Sequence, residues 1–208
     1  MMKKLMLLLV LVVSGLMVRA QEAIPLTEPQ GQEVTALLTE AAATMQNLQC
    51  RFVQQKSSSM LAEPTVSEGM MMYIAPDRMR WEYTNPYAFA LVVDGDRIVK
   101  ETEGVTETLD GKSGRMYQGM VDLIMGSASG KQLFDASVFD VVLYDEEPYW
   151  RAEMNPKRRD MKRMFKQLKF RFDKTSNVIS SVEFVEVGGD VTTIQFLDIK
   201  INSSDVIF

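Results

Sequence analysis

The side chains that most often carry out chemistry in enzymes are scarce in this sequence of 208 residues. It contains no histidine, which excludes histidine triads, histidine general bases and histidine metal ligands. Cys50 is the only cysteine, so neither an internal disulfide nor a cysteine zinc site can form. Nucleophile-elbow and phosphate-loop motifs are also missing. These observations argue against an enzyme, and the sequence predicts no catalytic residue, cofactor or metal ligand.

Carboxylate pairs are the remaining candidates for acid–base chemistry. Asp94 and Asp96 flank Gly95 between two apolar runs, an arrangement that is typical of a hairpin turn. The acidic run 145–147 precedes Pro148 and a predicted strand, which is typical of a solvated turn. An enzyme that acts on lipid through carboxylates is therefore the less favoured alternative.

The first twenty residues have the layout of a secretory signal peptide. Two lysines precede an apolar run from Leu5 to Val18, and Ala20 suits the last position before a cleavage site at Gln21. The run is shorter than the ~20 residues needed to span a bilayer, and Gln21 stands where a lipid-anchored protein needs cysteine. We therefore expect cleavage of residues 1–20 and one soluble secreted domain over residues 21–208.

The charge pattern argues against nucleic acid and singles out one segment. Removing three basic residues with the leader lowers the formal net charge from −5 to −8, whereas nucleic-acid binders are normally basic. One short segment reverses this sign, with Lys157, Arg158, Arg159, Lys162 and Arg163. These cations form either a docking patch, for anionic lipid headgroups or a transporter, or a solvated hairpin loop. The sequence alone favours the loop.

Alternation of apolar and charged residues dominates the segment from Gly69 to Tyr83. Met79, Trp81 and Tyr83 fall on one face of a predicted strand, and charged residues fall on the other. Similar strands continue on both sides of a predicted hairpin at Asp94-Gly95. The sequence leaves open whether the apolar face is closed core or the lining of a ligand site.

Helical spacing interrupts this β pattern twice. The first stripe predicts an amphipathic helix from about Gln30 to Gln46, and a shorter helix is predicted around Met120 and Ile124. No βαβ alternation or repeat is present. The sequence therefore predicts an α+β fold in which one large curved antiparallel sheet carries a few helices on one face.

The order of landmarks resembles that of the periplasmic outer-membrane lipoprotein carrier family, LolA. The landmarks are Phe52-Val53-Gln54, Gly69-Met70-Met71, Pro76, Trp81 and the Asp94-Gly95 hairpin. The likeness continues through the midchain helix and into the C-terminal strands, at Asp173, Ile179, Asp190, Ile194, Phe196 and Asn202. Ala75 departs from the arginine that many proteobacterial members have before this proline, where it latches the lid.

This resemblance implies an unclosed half β-barrel of about eleven strands, with helices as a lid over a hydrophobic hollow. Family members carry acylated lipoproteins from an inner-membrane lipoprotein-releasing ABC transporter through the periplasm to an outer-membrane acceptor. The resemblance thus implies a monomeric, non-enzymatic carrier with these partners. The alternative is a module of the same fold that senses lipid or envelope stress.

The resemblance also implies the residues that bind ligand. Those expected to line the hollow are Phe52, Met71, Tyr73, Met79, Trp81, Tyr83, Leu91, Phe170, Phe172, Phe184 and Phe196. Those expected to form the lid are Leu37, Leu38, Met120 and Ile124.

Overall fold

The computed structural model describes residues 23–109 and 134–205. Within them lie two helices, α1 (Glu28–Ala43) and α2 (Arg159–Met164). The strands of the N-terminal part are β1 (Ile24–Pro25), β2 (Asn47–Ser57), β3 (Thr65–Ile74), β4 (Arg78–Asn85), β5 (Phe89–Asp94), β6 (Arg97–Thr102) and β7 (Val105–Thr108). The strands of the C-terminal part are β8 (Phe139–Glu146), β9 (Tyr149–Pro156), β10 (Phe165–Asp173), β11 (Ile179–Glu186) and β12 (Val191–Ile201).

The strands form one antiparallel sheet in the order β1-β8-β9-β10-β11-β12-β2-β3-β4-β5-β6-β7. β1 and β7 are its edges, so the sheet is not closed, and the predicted α+β half-barrel is confirmed. The described residues contain twelve strands rather than about eleven. The additional strand is β1, a two-residue edge strand on β8, which its prolines and lack of periodicity concealed in the sequence.

Alternation along the strands buries one side of the sheet, which we call the apolar face. In β3, Met71 and Tyr73 are buried, whereas Met70 and Met72 lie on the outer face and are half-exposed. The outer face is crossed by ion pairs such as Arg80 with Glu101. Because paired strands keep their register across the sheet, Met71 and Tyr73 have apolar neighbours on both adjacent strands.

A bulge in β12 preserves this face where the sequence changes phase. Ile194 and Phe196 are buried on the apolar face, and the register then shifts between Leu197 and Lys200. Asp198 within the shift has φ 53, the left-handed conformation that a bulge can require. Ile201 then lies opposite buried Leu48, so the bulge returns the strand to the apolar face after the change of phase.

Helix α1 is fastened at both ends. It begins at Glu28, earlier than predicted, because the Thr27 N–H donates to the Gln30 side chain at 3.0 Å. After its C-terminal end, the Gln46 N–H donates to Asn202 Oδ1 at 2.7 Å, and Asn202 Nδ2 donates to the Thr44 carbonyl at 3.2 Å. Asn202 therefore ties the end of α1 to the end of β12.

Gly69 shows why a glycine is needed on the apolar face. It lies opposite Phe52 in the register of β2 and β3. A Cβ atom at Gly69 would approach Phe52 Cζ to 2.6 Å and would collide with the Glu82 carbonyl oxygen. The phenyl ring of Phe52 therefore occupies the space above Gly69 that a side chain would otherwise fill.

We expect Gly69→Ala to lower the free energy of unfolding by about 3 kcal/mol, because overpacking a closed core costs about this much. Gly188→Ala is the matched control, since nothing lies within 4 Å of a Cβ atom there. Its effect should stay within about 0.5 kcal/mol. Urea unfolding of both variants measures the difference, and equal stabilities would contradict the close packing of Phe52 on Gly69.

Candidate ligand-binding face

An aromatic cluster occupies the middle of the apolar face. Phe52 and Trp81 stack with ring centroids 4.2 Å apart, and Phe196 meets Trp81 edge-on at 6.2 Å. Tyr83 packs edge-on against Phe52 at 5.2 Å and stacks on Phe89 at 4.7 Å. These rings come from β12, β2, β4 and β5, so the cluster joins the two halves of the sheet.

All eleven residues predicted to line the hollow lie on strands, and ten of them belong to one buried cluster. Those ten are Phe52, Met71, Tyr73, Met79, Trp81, Leu91, Phe170, Phe172, Phe184 and Phe196. Tyr83 is half-buried, and its hydroxyl donates to Gln54 Oε1 at 3.0 Å. The structure thus brings them together on one surface, and their role in binding ligand stays a prediction.

Several residues absent from that prediction are equally buried on the same face. Leu48 and Cys50 precede Phe52 in the same phase of β2, and Leu168 precedes Phe170 in the same phase of β10. Alternation alone could have identified them, because residues two apart on a strand share a face. The prediction missed them because it favoured aromatic residues and methionines over other apolar residues of the same strands.

At the end of β2, the residues on the apolar side of the sheet change from apolar to polar. Along β2 the residues on this face are Leu48, Cys50 and Phe52, then Gln54 and Lys56. Lys56 reaches Glu186 at 3.1 Å and Asp190 at 3.5 Å, so charged groups collect where β2 ends. A ligand with an apolar tail and a polar head would find matching surroundings in this order.

One buried polar atom in the aromatic cluster lacks a partner. Trp81 is 1% exposed, and within the described part of the chain its indole N–H has no hydrogen-bond acceptor. A buried donor left unpaired costs about 1–3 kcal/mol. Trp81 therefore offers an unsatisfied donor to any acceptor that enters this region.

Cys50 lies on the same face with an unreactive thiol. Burial raises the pKa of the Cys50 thiol to about 12, outweighing a backbone hydrogen bond that acts in the opposite direction. Only the thiolate reacts rapidly with disulfide reagents. The single cysteine therefore serves as an internal probe of access to the apolar face.

Helix α1 packs one of the two predicted lid residues of its sequence against the apolar face. Leu38 is 3% exposed and belongs to the same buried cluster as the strands, together with Val34. Leu37 is 41% exposed, because the buried stripe follows Val34, Leu38 and Ala42 at four-residue spacing. Leu37 therefore lies outside the buried stripe of α1, and its predicted role in the lid stays a prediction. The other two lid predictions, Met120 and Ile124, lie outside the described residues.

The basic segment is helical rather than the hairpin loop that the sequence favours. Helix α2 connects β9 to β10, and its Met161 is buried in the cluster of the apolar face. Lys157, Arg158, Arg159, Lys162 and Arg163 are all exposed. Met161 and Met164, three residues apart, were the sequence signal for a helical turn.

The acidic turns are engaged in ion pairs away from the aromatic cluster. Lys174 Nζ lies 2.6 Å from Asp145 and 2.5 Å from Glu147, and Arg78 lies 3.4 Å from Asp94. Across residues 23–109 and 134–205, no three acidic or cysteine side chains are grouped to hold a metal ion. No helix in these ranges is long and apolar enough to cross a membrane.

Comparison with known proteins gives one family and several similar folds. The family model described as "Outer membrane lipoprotein carrier protein LolA" matches residues 43–206. No individual curated protein matches the sequence significantly. Among solved structures, MucB of Pseudomonas aeruginosa has a TM-score of 0.52 at 13% identity, covering 86% of this chain and 61% of MucB. The chain thus spans about three fifths of MucB, and at this identity the likeness concerns the fold.

Two further structures are similar at lower scores. Mycobacterium tuberculosis lipoprotein LppX has a TM-score of 0.49 at 11% identity, covering 88% of this chain and 100% of LppX. A LolA superfamily protein from Nitrosomonas europaea has a TM-score of 0.43 at 11% identity, covering 83% of this chain and 93% of its own.

We expect Cys50 in the native protein to react with a disulfide reagent far more slowly than in urea. At about pH 8 the shift from 9.0 to about 12 lowers the thiolate fraction about a thousandfold, before access is considered. The pKa of the Cys50 thiol is higher in the folded than in the unfolded protein. The neutral thiol therefore makes its full contribution to the free energy of unfolding below about pH 9, and this contribution is lost as the pH rises towards 12. Rapid native labelling would contradict a closed apolar face.

Leu38→Ala should lower the free energy of unfolding by about 3 kcal/mol and speed the labelling of Cys50, because it removes buried contacts of the cover helix. Leu37→Ala is the matched control, with the same change one residue away on the exposed side. Its stability should change by less than about 0.5 kcal/mol. Equal labelling rates in the two variants would exclude α1 as a cover for Cys50.

Proposed function

Because the chain belongs to the outer membrane lipoprotein carrier protein LolA family, we propose that it carries acylated lipoproteins through the bacterial envelope on its apolar face. The observation that carries this proposal is the extent of that face, which joins strands from β2 to β12 in one buried cluster on an unclosed sheet. Proteins of this family are periplasmic or envelope-associated. A carrier in this compartment must shield acyl chains from water and later release them.

Energetics requires an energised donor, and the family supplies the candidate partners. Each CH₂ group removed from water contributes about 0.8 kcal/mol, but a bilayer shelters the same chain almost equally well. Measured affinities also saturate near about −20 kcal/mol. A carrier therefore cannot extract its cargo by affinity alone and needs an energised donor. We assign this role to an inner-membrane lipoprotein-releasing ABC transporter, with an acceptor at the outer membrane.

The domain organisation belongs to the same proposal. Residues 1–20 serve as a cleaved signal peptide, and residues 21–208 form the carrier domain that enters the periplasm. The protein acts as a monomer, without catalysis or a bound cofactor.

A polar contact accompanies the apolar ones. Acyl chains in lipoproteins are attached through ester and amide groups, whose carbonyl oxygens accept hydrogen bonds. The unpaired indole N–H of Trp81, buried among Phe52, Tyr83 and Phe196, is a suitable donor to such a carbonyl. Trp81 would then recognise the linkage while its neighbours hold the chain.

The alternative is an interaction module. MucB, whose fold this chain shares, has been solved in complex with the periplasmic part of MucA. On this second proposal the chain would bind an envelope partner through the same fold and respond to lipid. A carrier passes its ligand to acceptor vesicles, whereas an interaction module changes its affinity for a partner when lipid binds.

The direct test is native mass spectrometry of the protein purified from its own periplasm without detergent. We expect one acylated lipoprotein or lipopeptide bound to each chain. Transfer of that cargo to acceptor vesicles would distinguish the carrier from the interaction module. A bare mass, together with failure to bind an added acyl probe, would overturn the carrier.

Trp81→Phe should weaken binding of an ester-linked acyl probe about fivefold, because one neutral hydrogen bond contributes about 1 kcal/mol. Binding of the matching ether-linked probe should change less, since the ether lacks the carbonyl. Trp150→Phe is the matched control, as Trp150 is the only other tryptophan and lies under Lys174. Titration by fluorescence measures both probes, and equal losses for ester and ether would exclude the carbonyl contact.

A further inference from the structure

Exposed apolar residues collect at one end of the sheet. Because neighbouring strands are antiparallel, the connections 58–64, 86–88, 103–104, 157–164 and 187–190 all lie at the same end, which we call the α2 rim. Six of the nine exposed large apolar residues among those described lie in these connections or within two residues of them. They are Met60, Leu61, Val66, Tyr87, Val105 and Val187. Met60 is 91% exposed and Tyr87 is 78% exposed.

The opposite end of the sheet lacks this feature. Its connections are 75–77, 95–96, 147–148 and 174–178, followed by the segment 202–205. Within these described connections no large apolar side chain is exposed. The exposed large apolar residues of the described chain are thus concentrated at the α2 rim, whereas the opposite end has Ile24, which pairs with Asp145 beside the connection 147–148.

Cations accompany the apolar residues at the α2 rim. Met161 is buried in the cluster and Met164 packs against it, so it is the four charged side chains of the helix that are exposed to solvent. Within the described residues, Arg159, Lys162, Arg163 and Lys166 have no ion-pair partner within 4.0 Å. Of the acidic residues nearby, Asp160 pairs with Arg158.

The carboxylates nearest to α2 leave that corner of the rim positively charged, while Glu63 and Glu103 carry negative charge on other rim connections. Asp140 pairs with Lys157, while Glu186 and Asp190 both pair with Lys56. A backbone hydrogen bond of 3.1 Å from Val187 N–H to the Met164 carbonyl joins the apolar tip of one loop to α2. Unpaired cations and exposed apolar side chains thus share one surface.

We propose that the α2 rim docks on the surface of an anionic lipid bilayer. Arg159, Lys162 and Arg163 lie against lipid phosphates, and the tips at Met60, Tyr87 and Val187 enter the interface. This docking proposal rests on the proposed carrier function only for the biological role of docking, and not for the docking itself. It places the polar end of the apolar face, at Gln54 and Lys56, next to the headgroups.

A bilayer fits this surface better than a protein partner does. The apolar tips stand on separate loops, and connections at one end of a sheet recur every two strands, about 10 Å apart. A protein interface needs a contiguous, fully desolvated centre, whereas a fluid interface accepts isolated side chains one at a time. Four unpaired cations around α2 match the negative surface potential of anionic lipids.

The test is flotation of the purified protein with vesicles of phosphatidylcholine alone or mixed with phosphatidylglycerol. The protein should float with the mixed vesicles at low salt and dissociate at high salt, because the contacts are screened. Lys162→Glu with Arg163→Glu should weaken this binding at least about a hundredfold, through the loss and reversal of two charges. The matched control is Arg97→Glu with Lys200→Glu, two exposed cations away from the α2 rim, which should bind almost normally.

The apolar tips are tested separately. Met60→Ser with Tyr87→Ser should weaken binding about tenfold, and the loss should persist at high salt. Leu37→Ser with Val142→Ser is the matched control, since both residues are exposed away from the α2 rim. If these control changes weaken vesicle binding as much as the rim changes do, docking through the α2 rim is wrong.

Two further outcomes would overturn the proposal. One is equal binding of the native protein to neutral and anionic vesicles. The other is binding to native inner-membrane vesicles but to no lipid vesicle, which would assign the rim to a membrane protein. Binding of a soluble acyl probe keeps the two proposals apart. Rim variants should retain that binding, and Trp81→Phe should retain vesicle docking, so either function can fail alone.

Discussion

The structure depends on one constraint, that the buried apolar cluster of an open twelve-stranded sheet is built from residues on one side of that sheet. A strand fixes this arrangement, because successive residues point to opposite faces. Antiparallel pairing then aligns the faces of neighbouring strands, as Phe196, Phe52 and Gly69 show across β12, β2 and β3. The surface that holds the protein together is therefore the one proposed to hold acyl chains.

Because the core and the proposed ligand site are the same surface, few mutations can change ligand binding without also changing stability. A side chain such as Trp81 stabilises the fold by stacking on Phe52. A large substitution there would therefore unfold the protein, and its effect on ligand binding could not be measured separately. The unpaired N–H of Trp81 is different, since Phe keeps much of the stacking area and removes only the donor. Substitutions that keep shape and change one polar group are thus the informative ones on this face.

The sequence predicted the sheet well because alternation is a local signal. The strands around Trp81, the Asp94-Gly95 hairpin and the bulge after Phe196 all follow from residue spacing. It predicted the helical cover less well, because the apolar residues of α1 form a stripe in the sequence that is broader than the stripe that packs on the sheet. Leu37 and Leu38 both fit a broad stripe, and only packing on the sheet decided that Leu38 is buried.

Helix α2 illustrates a second limit. Six basic residues from Lys157 to Lys166 suggested a solvated loop, yet Met161 is buried in the cluster and turns the segment into a helix. The exposed loop tips were also invisible, because single residues such as Tyr87 and Val187 carry no pattern until topology places them at one end. The long-range arrangement of the strands brings the residues of the α2 rim together, and local residue spacing could not predict this.

The two proposed surfaces are physically complementary. A soluble carrier that met a membrane at random would expose each acyl chain to water during transfer, at about 0.8 kcal/mol for every CH₂ group. Docking by the rim next to Gln54 and Lys56 shortens that exposure, because the polar end of the apolar face would then open towards the headgroups. Weak, salt-sensitive docking suits this role, since a rim that bound tightly would hold the carrier at the first membrane it met.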